Sequence, residues 1–211
     1  MVAGAGVALV LCDADPGCRA AAAALWGRAP VALTRDELRP ARGFGGRLWE
    51  LLAAAAGSTV GLVVPAVGVG PPPGAAAPPA GGLVPVRDHV NLELRSPLTG
   101  PWPAGEPRRF PCVTGVYAAV TVPGRDAPPL YSAGATVACV ADARRLTAFE
   151  RAVVAAQRLP LASDRLLAAA VFAALLGARL AAAVLVAPAA GRRRPAAAPG
   201  HDHHHDERTQ T

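Results

Sequence analysis

Val7-Ala8-Leu9-Val10-Leu11-Cys12, followed at once by Asp13-Ala14-Asp15-Pro16-Gly17, is the stretch whose reading decides the fold. An uninterrupted apolar run of this length fits a strand buried on both faces, and the Asp/Pro/Gly cluster fits the turn that ends it. Residues 19–26 then read as helical. A glycine-rich break at 43–46 precedes a short helix over 47–56, and 59–64 is a second buried strand, ending at Pro65. Strand, helix and strand with continuous rather than alternating hydrophobicity imply an α/β fold with a largely parallel sheet.

Further along, the proline-rich run at 71–82 reads as an exposed loop. Residues 83–94 return to extended structure. The aperiodic, Pro/Gly/Arg-rich stretch 96–117 is a long loop, of the kind that tends to carry function in a compact domain. A strand is predicted over 135–140 and an amphipathic helix over 146–159, with Arg145, Glu150, Arg151 and Arg158 outside. Residues 166–190 are the most hydrophobic stretch. Arg179 in the middle costs about 2.5–3.5 kcal/mol on insertion scales. The reading adopted is therefore a buried helix over 164–178, capped by Asp164 or Ser163, turning near Gly177 into a strand over 180–186. A membrane anchor in this stretch is the competing reading.

Composition narrows the class. The chain has 211 residues, 52% hydrophobic and only 17% charged, which excludes wholesale disorder. It contains 50 Ala, no Lys, no Ile and one Asn, so all 21 cations other than His are Arg. The missing residue types share AT-rich codons. A GC-rich gene therefore explains part of the composition, and an Ala run weighs less as a helix signal. Net charge is +6, but the excess is thinly spread and aromatics are only 4%, so contact with nucleic acid is not expected. Cys12, Cys18, Cys112 and Cys139 show no CxxC pair or metal spacing, which fits reduced thiols in an intracellular, reducing compartment. The N-terminus lacks a positive flank and runs into Asp13 and Asp15, so it reads as a strand and not a signal peptide. From Gly191 the chain reads as a tail: Arg192-Arg193-Arg194 is compatible with nuclear import, and His201 to Asp206 could take up a metal adventitiously. No cofactor is expected.

One ordered series is more specific. Arg87-Asp88-His89-Val90-Asn91-Leu92 is followed by Ser96-Pro97-Leu98-Thr99-Gly100-Pro101, then Arg109-Phe110-Pro111, then Tyr117. It resembles the purine nucleoside phosphorylase family, whose corresponding segments read RDHINL, NPLxGP and RFP, and the single asparagine of the chain falls within it. The resemblance implies a three-layer α/β fold with a mixed, barrel-like central sheet, over one domain at 1–190 with a disordered loop at 70–82. It leaves 191–211 as a disordered Arg/His-rich tail. It also implies a homo-oligomer in which Phe110 reaches a neighbour's nucleoside site.

The chemistry that the resemblance brings with it is not matched. Phosphorolysis needs a phosphate cradle, a hold on the ribose and charge stabilisation as the base leaves. The family's glycine-rich phosphate loop is replaced by Asp13-Ala14-Asp15-Pro16-Gly17. Each carboxylate there would oppose a unit negative charge by about 4 kcal/mol at about 4 Å in an effective dielectric of about 20, and Pro16 removes a donor. The family's R-x-H segment finds Arg42 and Arg47 but no His. The purine-holding glutamate finds only Asp142, off the motif. The methionine-serine pair leaves Ser163, and the final asparagine becomes Ala187-Pro188. Asp142 and Ser163 are thus the residual pocket candidates, and no residue is assigned a catalytic role.

The reading is a catalytically inactive phosphorylase-like protein serving as a binding or scaffolding accessory. Its protein partner is not named by the sequence. A weaker, compositional resemblance is to a herpesvirus nuclear phosphoprotein in the host nucleus, with a GC-rich bacterium as the other source. The alternative function is an active nucleoside phosphorylase or hydrolase with an altered site, using Asp13, Asp15 or Asp142. His89 is expected to be a hydrogen-bonded structural histidine.

Overall fold

A strand buried on both faces needs apolar neighbours above and below, and helices on both sides of the sheet supply them. The computed structural model describes residues 7–40, 46–70, 77–99, 111–120, 130–131 and 133–188. In chain order its elements are β1 (Leu9–Asp13), α1 (Pro16–Trp26), β2 (Val31–Leu33), α2 (Arg35–Leu38), α3 (Arg47–Ala54), β3 (Thr59–Gly68) and β4 (Leu83–Asn91). These are followed by β5 (Ala135–Cys139), a 3-10 turn (Ala143–Arg145), α4 (Ala148–Ala156), β6 (Leu161–Ser163), α5 (Leu167–Leu176) and β7 (Arg179–Val186).

The seven strands run in the order β2-β1-β3-β6-β5-β4-β7, and β7 also pairs with β3 along eight residues. Strands β3, β6, β5, β4 and β7 therefore close into a mixed, barrel-like sheet, with β1 and β2 extending from β3. This is the mixed α/β architecture expected from the sequence. Pairing is parallel for β1 with β2 and β3, β3 with β7, and β5 with β4 and β6; it is antiparallel for β3 with β6 and β4 with β7.

Continuous apolar runs follow from this arrangement. Leu11, Val60, Leu62 and Val64 face a core shared with α3 and α5, whereas Val10, Cys12 and Val63 face a second core under α1. Across the first core the Phe172 ring of α5 meets Trp49 of α3 edge-on, with centroids 5.4 Å apart. A third cluster packs Val154 of α4 on Ala138 and Ala162.

Several boundaries depart from the sequence reading. Helix α1 starts at Pro16, not 19, because Asp15 caps it and a proline at the first helical position lacks a donor that would be unsatisfied anyway. β3 does not end at Pro65. Its pairing with β1 stops at Val63 and that with β6 starts at Val67, so the proline falls where no ladder bond is needed on that side. Neither Asp164 nor Ser163 caps α5. That helix begins at Leu167, after Leu166 and without a side-chain cap, because both polar side chains are engaged elsewhere. It ends at Gly177 in the left-handed conformation (φ 70°), and β7 follows from Arg179, close to the predicted turn and strand. Helix α4 is shorter than predicted and begins at a capping box. Thr147 N–H donates to Glu150 Oε2 at 2.7 Å, and Glu150 N–H donates to Thr147 Oγ1 at 3.2 Å.

Among the described residues no helix is long and apolar enough to cross a membrane. The predicted tail, and positions 71–76 of the predicted loop, lie outside the described residues.

Candidate functional site

Asp13, Ala14, Asp15, Pro16 and Gly17 form the connection from β1 into α1, so the predicted loop does sit at the end of the first strand. The first amides of a helix form a ready anion seat. Here the chain fills it. The Asp15 carboxylate accepts from Gly17 N–H at 2.8 Å and Cys18 N–H at 3.3 Å, and Asp13 Oδ1 accepts from Asp15 N–H at 2.8 Å.

Asp13 is buried and is not a bare charge. Arg165 Nη1 donates to its Oδ2. Repulsion of a ligand by two free carboxylates, expected from the sequence, therefore does not apply to Asp13. Arg165 Nε lies 3.6 Å from Asp164 Oδ1, and Asp164 Oδ2 is 2.6 Å from Arg35 Nη2, which also meets Asp142 Oδ2 at 3.2 Å. A chain of alternating charges, Asp13, Arg165, Asp164, Arg35 and Asp142, thus links the ends of β1, β5 and β6 to the start of α2.

Asp164 is the main cause that raises the Arg35 guanidinium pKa. Desolvation works against ionisation of Asp142, but hydrogen bonds from Arg35 and from the Arg144 amide outweigh it and hold the carboxyl below its ordinary range. The two residual pocket candidates are therefore already partnered. Ser163 is fully buried, its Oγ donating to the Pro65 carbonyl at 2.8 Å and accepting from Arg165 N–H at 3.3 Å.

The RDHxNL series shapes backbone. Asp88 Oδ1 accepts from His89 N–H at 2.8 Å; Asn91 Oδ1 accepts from Glu93 N–H at 3.0 Å; and Asn91 Nδ2 donates to the Arg95 carbonyl at 2.9 Å, closing the turn after β4. Leu92 N–H donates to Cys139 at 2.8 Å, and Arg87 is exposed. Leu98 packs at the edge of the main core and Pro97 lines a cavity of about 230 Å³ beside Arg39, Glu93 and Arg95. Pro111 is half-buried, while Gly100, Pro101, Arg109 and Phe110 lie outside the described residues.

His89 Nδ1 is 2.9 Å from the Tyr117 hydroxyl. Burial lowers the His89 pKa below its ordinary 6.5, with Asp88 opposing in part. The unfolded chain then takes up this proton first. The contribution to stability is complete above pH 6.5 and is lost as pH falls below it toward the folded value. Urea midpoints should fall between pH 7 and about 5.5, a window above the carboxylates, and His89→Gln should flatten that slope. An unchanged slope in the variant would assign it to another group.

A cavity of about 860 Å³ opens where β3 and β7 end beside α1. Its wall includes Asp15 and Gly17, the Pro65 and Val67 side of β3, Leu185 to Pro188 at the end of β7, and Arg144 and Arg151. Neither Asp142 nor Ser163 lines it. Sequence reasoning missed Arg35, Asp164 and Arg165 as site residues; the adjacent Asp164-Arg165 pair next to Ser163 was the available signal. Among the described residues no group of three or more His, Cys, Asp or Glu could hold a metal ion. Cys12, Cys18 and Cys139 are buried, and burial pushes the Cys12 thiol up to about 11.

No protein-family model matches the chain, and no curated protein matches it in sequence. Solved structures similar to it include three of purine nucleoside phosphorylases from Schistosoma mansoni. One, with a novel monocyclic inhibitor, has a TM-score of 0.48 and 17% identity, over 61% of this chain and 50% of that one. Isoform 2, with cytosine and ribose-1-phosphate, has a TM-score of 0.46 and 16% identity, over 61% and 46%. A complex with BCX-34 has a TM-score of 0.46 and 17% identity, over 61% and 49%. The chain thus spans about half the length of the phosphorylases that it is similar to.

Proposed function

We propose that this chain is a catalytically inactive, nucleoside-phosphorylase-like protein that works as a binding or scaffolding accessory. The observation that carries the reading is the self-filled anion seat of α1, where Asp15 takes the Gly17 and Cys18 amides. Three further features support it. Asp13 is neutralised by Arg165, the Ser163 hydroxyl is bonded to the backbone, and Ala187-Pro188 offers no side-chain donor to a base at the cavity wall.

A nucleophile or base for the competing hydrolase would have to come from Asp13, Asp15 or Asp142. Each of these carboxylates is engaged by an arginine or by helix amides. Incubating the full chain with inosine and guanosine, with and without phosphate, should release no free base. Release dependent on phosphate would make it a phosphorylase, and release without phosphate a hydrolase.

The proposed setting is that of a herpesvirus nuclear phosphoprotein forming a homo-oligomer. The viral and nuclear part is supported by the GC-driven composition and the arginines at 192–194, and the oligomer by the resemblance of the segment 87–117. Nuclear accumulation of the tagged chain, lost when those arginines become alanine, and its mass by light scattering check both parts.

A further inference from the structure

Three arginines of the interior have a carboxylate beside them: Arg35 with Asp142 and Asp164, Arg39 with Glu93, and Arg165 with Asp13. Two at the wall of the 860 Å³ cavity do not. Arg151 is held in place by main-chain carbonyls, with Nε donating to Leu146 at 3.2 Å and Nη1 to Gly68 at 3.0 Å. Those bonds fix the guanidinium without neutralising it. Among the described residues no carboxylate pairs with Arg144 or Arg151.

The nearest acids in sequence are already committed. Asp142 is bound by Arg35, and the Glu150 carboxylate takes the Thr147 amide and hydroxyl at 2.7 and 2.8 Å. Asp15, on the same wall, spends its carboxylate on α1. Pro65, Val67, Leu185, Val186 and Ala187 give the cavity an apolar surface. A concave site of several hundred Å³, mainly apolar with a few fixed polar groups, has the form of a small-molecule site.

We infer that this cavity binds an amphipathic organic anion, a flat apolar body carrying one sulfonate, carboxylate or phosphate group held by Arg144 and Arg151. The apolar body lies along the ends of β3 and β7. The anionic group is bound by guanidinium donors on the 3-10 turn and α4, not by the α1 amides, which Asp15 occupies. Arg151 is already ordered by its carbonyl bonds, so little side-chain entropy is lost when the anion arrives. The inference rests on the preceding reading for the use of the cavity in binding. Inosine turnover tests that reading, while the titration below tests the anion site, so each can fail without the other.

The probe is 8-anilinonaphthalene-1-sulfonate, titrated into the folded full chain, with uncharged N-phenyl-1-naphthylamine beside it. Saturable one-site fluorescence enhancement is expected. Arg144→Gln should weaken the sulfonate about tenfold, the scale of a lost charge-assisted hydrogen bond. It should leave the uncharged dye unchanged, and Arg144→Lys should recover most of the loss. Absence of saturable sulfonate binding would overturn the inference, as would equal binding by Arg144→Gln or equal losses for both dyes.

Discussion

Arg165→Met should lower the unfolding free energy by about 3–5 kcal/mol, the cost of breaking a buried ion pair from one side. The Arg165 guanidinium is the link between Asp13 and Asp164, whose side chains are only 4% and 8% exposed. Methionine fills much of the volume but leaves Asp13 with a single amide hydrogen bond, from Asp15, and a charge that neither water nor an arginine compensates. One consequence separates this account from loss of packing. Asp13→Asn added to Arg165→Met removes the abandoned charge and should restore at least about half of the loss. Urea unfolding of the parent chain and of the single and double variants at pH 7 reads both. A double variant no better than the single would mean that Arg165 acts through its aliphatic stem.

Gly61→Ala should cost about 1–3 kcal/mol, a large effect for one methyl group, because the added carbon overpacks the contact between β3 and the half-buried Trp26. A Cβ at this position would lie 2.9 Å from Cε2 and 3.0 Å from Cδ2 of Trp26. The glycine pairs with Val10 of β1 on one side and Ala181 of β7 on the other, so the backbone cannot retreat, and the indole at the end of α1 must move. That ring sets how α1 lies on the sheet, and the other end of α1 borders the large cavity. The loss should be accompanied by a shift in tryptophan emission and largely removed in Gly61→Ala/Trp26→Leu. A loss below about 0.5 kcal/mol, the range of neutral surface changes, with unchanged emission would show that the ring has room.

How much of this was legible depended on whether the signal was local. The runs at 7–12, 59–64 and 180–186 identified β1, β3 and β7 because strands covered on both faces carry uninterrupted apolar residues. β2 and β6, three residues each, are too short to show a period. Asp15-Pro16 was read as the end of a strand, although a capping aspartate followed by proline is equally a helix start; the apolar residues of α1 follow directly. Asp13 and Asp142 were singled out from chain order alone, yet their partners were not. Arg165 lies 152 residues from Asp13, and no periodicity or propensity encodes such a pairing. The cavity was invisible for the same reason, since its wall combines α1, the ends of β3 and β7, Arg144 and Arg151, of which only Arg151 falls in the predicted helix, as a solvent-facing position.

The claim that the chain's own carboxylates occupy its anion seat is tested most directly by titrating inorganic phosphate into the full chain by calorimetry at neutral pH. The account predicts dilution heats alone at the α1 seat, with Asp15 retaining the Gly17 and Cys18 amides through millimolar phosphate. A saturable one-site isotherm in the micromolar range, abolished by Gly17→Pro but unaffected by Arg144→Gln, would contradict it.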